Sequence, residues 1–227
     1  GNTLVIDPGV EIQVNGNYYM QVEGKLEAIG TESDRIKIYG IDDGANNWDG
    51  IKFLADEPNK LSYIDISGLK NGITGYCDID HALITANGWA VGMDDSYDPR
   101  YSLRGSLTNS TVKGSVSVAY DDVKGNTIDG NTVYLYETPF VCDNTISGST
   151  TIQYSNIDGN TFSGSELDTR YAFVCNNEVS STNVYSYSDI QKYVTYNGGT
   201  LFLGYYYDHG YKMSPSGLYN IQFNNCS

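Results

Sequence analysis

One six-residue phrase recurs along this chain at a near-constant spacing. "VCDNTI" begins at Val141, "IDGNTF" at Ile157 and "VCNNEV" at Val174, with "VKGNTI" at Val123 and "LTNSTV" at Leu107 before them. The starts 107, 123, 141, 157 and 174 are separated by 16, 18, 16 and 17 residues. A short fixed period means that each repeat is one supersecondary unit, able to bury its apolar side only by stacking on its neighbours. Alternating segments such as "TVYLY" (132–136) and "TTIQY" (150–154) follow the phrases, bounded by Gly, Asn, Asp and Ser, which is the patterning of short strands. Helical spacing is sustained nowhere. A unit of about 17 residues is too small for a propeller blade and lacks the helices of ankyrin or tetratricopeptide repeats. It fits one coil of an all-β solenoid, a parallel β-helix.

The fourth place of the phrase is Asn126, Asn144, Asn160 and Asn177, with Ser110 before them. Asn tolerates the left-handed backbone of a sharp corner, and stacked amides can hydrogen-bond from one coil to the next. These four residues are expected to form a structural corner ladder, with no catalytic role.

The ladder phrases resemble those of right-handed parallel β-helix proteins, the pectate-lyase-like superfold. The stretches "TLVIDPGVEIQVNG" (3–16), "VEGKLEAIGTESDRIKIYG" (22–40) and "WDGIKF" (48–53) are similar to the opening coils of secreted β-helix repeat proteins. The resemblance implies a single domain over residues 1–227. It says little about activity, because this superfold carries lyases, hydrolases, adhesins and structural proteins alike.

Thirteen Lys and Arg stand against 28 Asp and Glu, a formal net charge of −15. That balance argues against nucleic acid or an anionic membrane surface as a partner. No apolar run approaches the roughly 20 residues of a membrane span. The surface is rich in uncharged polar residues and in tyrosine, 21 in all, which suits a secreted or cell-surface protein that meets carbohydrate or other proteins. The chain opens without Met or a basic-then-apolar leader, so any signal peptide is expected to have been removed.

Cys77, Cys142, Cys175 and Cys226 form no CxxC pair and have no histidine at metal-ligand spacing. Cys142 and Cys175 hold the same phrase position two coils apart. With coils stacked at about 4.8 Å their Cα atoms lie near 9.6 Å from one another, beyond the roughly 7 Å limit of a disulfide. Lys124, Cys142, Asp158, Cys175 and Gln191 read as one outward-facing column, so the cysteines are candidates for bridging to a loop, a terminus or another chain.

The phrase is interrupted once. "IDHALI" at Ile79 precedes Leu107 by 28 residues, and the segment 87–105 between them is expected to protrude, carrying Trp89, Asp94, Asp95, Tyr97, Asp98, Arg100 and Tyr101. Asp94, Asp95 and Asp98 offer hard oxygen ligands of the kind calcium takes, but without the spacing of a recognised motif. A solvated acidic turn is the favoured reading there, and in "IDDGANNWDG" (41–50), so no cofactor is required. For hydrolysis, Asp78 and Asp80 lie two apart on a strand, about 6.6 Å from each other on one face, with His81 beside them. For lyase chemistry the resemblance would require a calcium-binding carboxylate cluster with a basic residue beside it, and of the 13 Lys and Arg only Arg100 is grouped with such carboxylates. Tyrosines crowd the C-terminal third, and in the run Tyr205, Tyr206, Tyr207 at least one must face outward.

These features are expected of a secreted, non-catalytic β-helix acting in a cell-surface or extracellular assembly, with itself or another protein as partner. Both termini read as strands without caps, as in a segment of a longer protein or a subunit that stacks end to end. A glycan-binding module using the tyrosine-rich end or the 87–105 loop is the alternative, and a polysaccharide-degrading enzyme built on Asp78, Asp80 and His81 is the third.

Overall fold

The computed structural model describes residues 2–41, 48–56, 58–93, 101–187, 190–203, 206–208, 211–213 and 217–226. Among them the regular elements are 29 β-strands and no helix. Twenty-seven strands belong to one hydrogen-bonded sheet system. Its pairings are parallel, whereas Tyr206–Asp208 and Tyr211–Met213 form a separate antiparallel pair.

The repeated phrases stand in register. Leu107 lies opposite Val123, Val123 opposite Val141, Val141 opposite Ile157 and Ile157 opposite Val174. Ile79 precedes Leu107 in the same column, and Leu61 precedes Ile79. Two further inward columns run beside it, one through Val112, Ile128, Ile146 and Phe162, the other through Val116, Val133, Thr150, Leu167 and Val184. All of these side chains are buried, the apolar ones in one continuous core. Because the pattern repeats, like residues sit on like residues. Each large aliphatic side chain so removed from water contributes about 1.5–3 kcal/mol.

The excursion before Leu107 is narrower than the expected 87–105. The strand Leu83–Val91 continues through Trp89, which is part-buried and lies opposite Asn71 and Ser115. The strand Leu103–Arg104 then resumes the ladder opposite Gly75 and Tyr76.

The backbone turns at the third place of the phrase. Asn109, Gly125, Asp143, Gly159 and Asn176 all have positive φ, between 48° and 68°, and Tyr63, His81, Tyr193 and Asn220 continue the series at either end. This corrects the expectation that the repeated asparagines themselves take the left-handed conformation. They come one residue later, and the turn before them swings their amides inward.

There the asparagines form a buried chain of hydrogen bonds. The Asn126 backbone N–H donates to Asn144 Oδ1 at 3.0 Å, Asn144 N–H to Asn160 Oδ1 at 2.9 Å, and Asn160 N–H to Asn177 Oδ1 at 2.9 Å. The Nδ2 of Asn126, Asn144 and Asn160 also donates to the next Oδ1, and all four donate back to a carbonyl of the preceding layer: Asn126 to Leu107, Asn144 to Val123, Asn160 to Val141 and Asn177 to Ile157. Ser110 opens the series, accepting at its Oγ from Ala82 N–H and donating its own N–H to Asn126 Oδ1. At a different place, two residues before Leu61, buried Asn59 accepts from Leu26 N–H at 2.7 Å and donates to the Tyr76 carbonyl.

Beyond Asn177 the alignment shifts by one residue. Val174 lies opposite Gln191 and Cys175 opposite Lys192, so Gln191 is an inward residue and Lys192 continues the outward column. Gln191 is fully buried, its Nε2 donating to Ser186 Oγ and its Oε1 accepting from Tyr196 Oη, both at 2.6 Å. Aligning on the aliphatic Ile190 misplaces this coil, because here a polar side chain with buried partners takes the place of a valine.

Replacing Asn144 by Leu removes the acceptor for Asn126 N–H and a donor to the Val123 carbonyl while adding no polar partner. Each buried group left unpaired costs about 1–3 kcal/mol. Asn144→Leu is therefore expected to lower the denaturant midpoint clearly, and an unchanged midpoint would refute a load-carrying role for the ladder.

Candidate functional site

The paired carboxylates and His81 sit where the strand Ile64–Asp80 runs into its corner. Asp78 Oδ1 accepts from the backbone N–H and the hydroxyl of Ser106, at 3.0 and 2.9 Å. Asp80 Oδ1 accepts from Thr108 Oγ1 and Asn109 Nδ2, at 2.7 and 2.9 Å, and its Oδ2 lies 2.7 Å from His81 Nδ1. The His81 ring stacks on Tyr63 with centroids 4.5 Å apart, and Arg35 clasps the same corner, donating to the His81 and Ile64 carbonyls and to Asp65. Both carboxylates therefore tie one layer to the next.

Burial alone would raise the Asp80 carboxyl, but hydrogen bonds from His81, Asn109 and Thr108 together outweigh it and hold its pKa below the ordinary 3.8. A glycosidase acid needs the opposite, a carboxyl that keeps its proton near the working pH. A pKa depressed by folding contributes stability that is complete above the unfolded value and is lost as pH falls through the folded one. Asp80→Asn should therefore flatten the fall in melting temperature below about pH 4, and an unaltered acid limb would show that Asp80 does not carry it.

The cysteines are all unbridged. Cys77 is fully buried, and burial, then Asp78, pushes its thiol well up. Cys142 and Cys175 are half-buried and flank Asp158 in the paired column, two layers apart as expected. Burial, then Asp158, raises both thiols. Cys226 lies with its Sγ near the carbonyls of Tyr196 and Gly198, packed against the core. At neutral pH, iodoacetamide should modify Cys142 and Cys175 more slowly than a simple thiol and reach Cys77 only after unfolding; rapid labelling of native Cys77 would contradict this placement.

Asp94, Asp95, Tyr97, Asp98 and Arg100 lie outside the described residues, as do Tyr205, Asp42, Asp43 and Asn47. Tyr206 and Tyr207 fall in the antiparallel pair, their side chains outside the description. Among the described residues no three His, Cys, Asp or Glu gather to hold a metal ion.

Among the described residues, a groove of about 560 Å³ is lined by Lys52, Leu54, Asp56, Tyr101, Arg104 and Tyr120, with Thr74 and Met93 beside them. Five stretches of chain, 52–56, 74–75, 93, 101–104 and 120, meet there because parallel pairing places Leu103 and Arg104 between Gly75–Tyr76 and Val118–Ala119. Arg104 Nη2 donates to Asp56 Oδ1 at 2.7 Å. Its Nε–H is buried and finds no acceptor among the described residues. On the far side of Arg104 a smaller cavity of about 250 Å³ is bounded by Tyr76, Gly105, Tyr120 and Asp121.

Tyr120 also begins a row of aromatic rings along a second corner, where Tyr120, Glu137, Tyr154 and Tyr171 all have positive φ. Tyr120 meets Tyr136 edge-on at 6.4 Å, Tyr136 meets Tyr154 edge-on at 5.7 Å, and Tyr154 stacks on Tyr171 at 4.7 Å. Sequence reasoning looked for exposed tyrosines in the C-terminal third and missed this row. The 17-residue step from Tyr154 to Tyr171 was the signal available for it. No comparable signal marks Lys52, Asp56 and Arg104, which are distant in sequence. Comparison of the chain with family models, curated proteins and solved structures finds no match.

Proposed function

We propose that this chain is a right-handed parallel β-helix of the pectate-lyase-like kind, secreted or held at a cell surface, serving without catalysis as a structural or adhesive component of an extracellular assembly. The observation that carries this reading is the use made of the carboxylates. Asp78 and Asp80, the best-placed pair for hydrolysis, are occupied in bonding one layer to the next. The acidic balance, the uncharged polar surface and the exposed tyrosines support an extracellular setting.

Self-association is part of the proposal. Among the described residues, the strands Thr3–Ile6 and Gly217–Tyr219 each have a single partner, and Leu4, Val5 and Leu218 beside them are exposed. These exposed apolar side chains present surface that a second copy of this chain is proposed to cover. The alternative reading, a glycan-binding module, is favoured by the groove beside Arg104.

Incubation with neutral and acidic polysaccharides should release no new chain ends. Sedimentation under non-reducing conditions should show mass rising with protein concentration. Polysaccharide cleavage abolished by Asp80→Asn would overturn the non-catalytic reading, and a strict monomer at all concentrations would overturn self-association.

A further inference from the structure

We infer that the groove around Arg104 is a binding site for an uncharged saccharide, with Tyr120 and Tyr101 as ring platforms and Arg104 as the polar anchor. The inference rests on the extracellular reading above and names a ligand class and site for it.

The groove's volume falls in the range of sites that take small ligands. Its lining carries two cations, Lys52 and Arg104, and one carboxylate, Asp56, while the adjoining cavity that shares Arg104 and Tyr120 adds Asp121. On a chain of net charge −15, a polyanion meets long-range repulsion that one surplus cation in the groove does not offset. What the groove offers is paired donors and acceptors. The Arg104 guanidinium is part-exposed and held to Asp56 through Nη2, which leaves further terminal N–H groups able to donate to a sugar hydroxyl. The Asp56 carboxylate, held to Arg104 by one oxygen, can accept from a neighbouring hydroxyl.

The aromatic geometry points to this end of the tyrosine row. Tyr154 and Tyr171 cover each other's faces, at an interplanar angle of 2°. Tyr120 meets its neighbour at 74°, by an edge, and lines the groove. Tyr120 is 45 % exposed and Tyr101 39 % exposed, so both rings present surface to the groove. Amphipathic rings beside hydrogen-bonding groups match a pyranose, whose C–H faces are apolar and whose rim is polar.

Titration calorimetry with cellohexaose, xylohexaose, mannohexaose and laminarihexaose, against tetragalacturonate as the anionic probe, tests this. At least one neutral probe should bind and tetragalacturonate should not. Tyr120→Ala and Arg104→Met should each weaken that binding at least tenfold, whereas Tyr171→Ala, outside the groove, should change it less than twofold. Tyr101→Ala provides a second groove variant if either of the first two shifts the thermal melt. Absence of binding by every neutral probe, equal binding of tetragalacturonate, or affinity unchanged in the groove variants would each overturn the inference. None of these outcomes bears on cleavage or sedimentation, so this site can fail while the adhesive reading stands.

Discussion

The structure depends on how its corners satisfy the backbone. A chain that turns sharply at every layer buries amides at the bend that no parallel ladder can reach, and an unpaired buried amide is costly. Here a left-handed residue makes the turn and the following side chain supplies the missing partner, so that Asn144 accepts from Asn126 while its own amide is held by Asn160. Because each asparagine is both donor and acceptor, the solution propagates from layer to layer. Val194 takes the next place after Asn177 and is purely apolar and buried. The polar ladder is thus a property of the middle repeats, with Ala82 and Val194 at the equivalent places on either side.

With the inward positions committed to packing and to the ladder, chemistry is left to outward residues and to places where extra chain enters. The carboxylates near His81 show how strongly the layers claim even outward groups: both are spent on the next turn of chain. The groove escapes this because the strand Leu103–Arg104 follows an insertion, and it brings a cation beside Asp56 without pairing its buried Nε–H among the described residues. Exposed tyrosines then border a site that regular repeats would have filled.

The cysteines show how one residue type diverges by position. Cys142 and Cys175 share an outward register on either side of Asp158, whereas Cys77 faces the core and Cys226 lies over carbonyls at the last layers. Burial raises the thiols of the first three, lowering the thiolate fraction that metal binding or disulfide exchange requires.

The repeat phrase by itself determined that the chain is all-β, that Leu107, Val123, Val141, Ile157 and Val174 share a column, and that Asn126, Asn144, Asn160 and Asn177 line up. These follow from local period and from identity at equivalent places, which any stacking of the units must respect. The sequence did not reveal which residue takes the left-handed turn, since Asn and Asp suit either of two adjacent places, nor that Gln191 faces inward, since its partners Ser186 and Tyr196 are seen only after folding. The groove was decided by tertiary structure alone. Lys52, Asp56, Arg104 and Tyr120 carry no shared motif, and they meet because parallel pairing sets residues some 28 positions apart side by side wherever extra chain is inserted between layers.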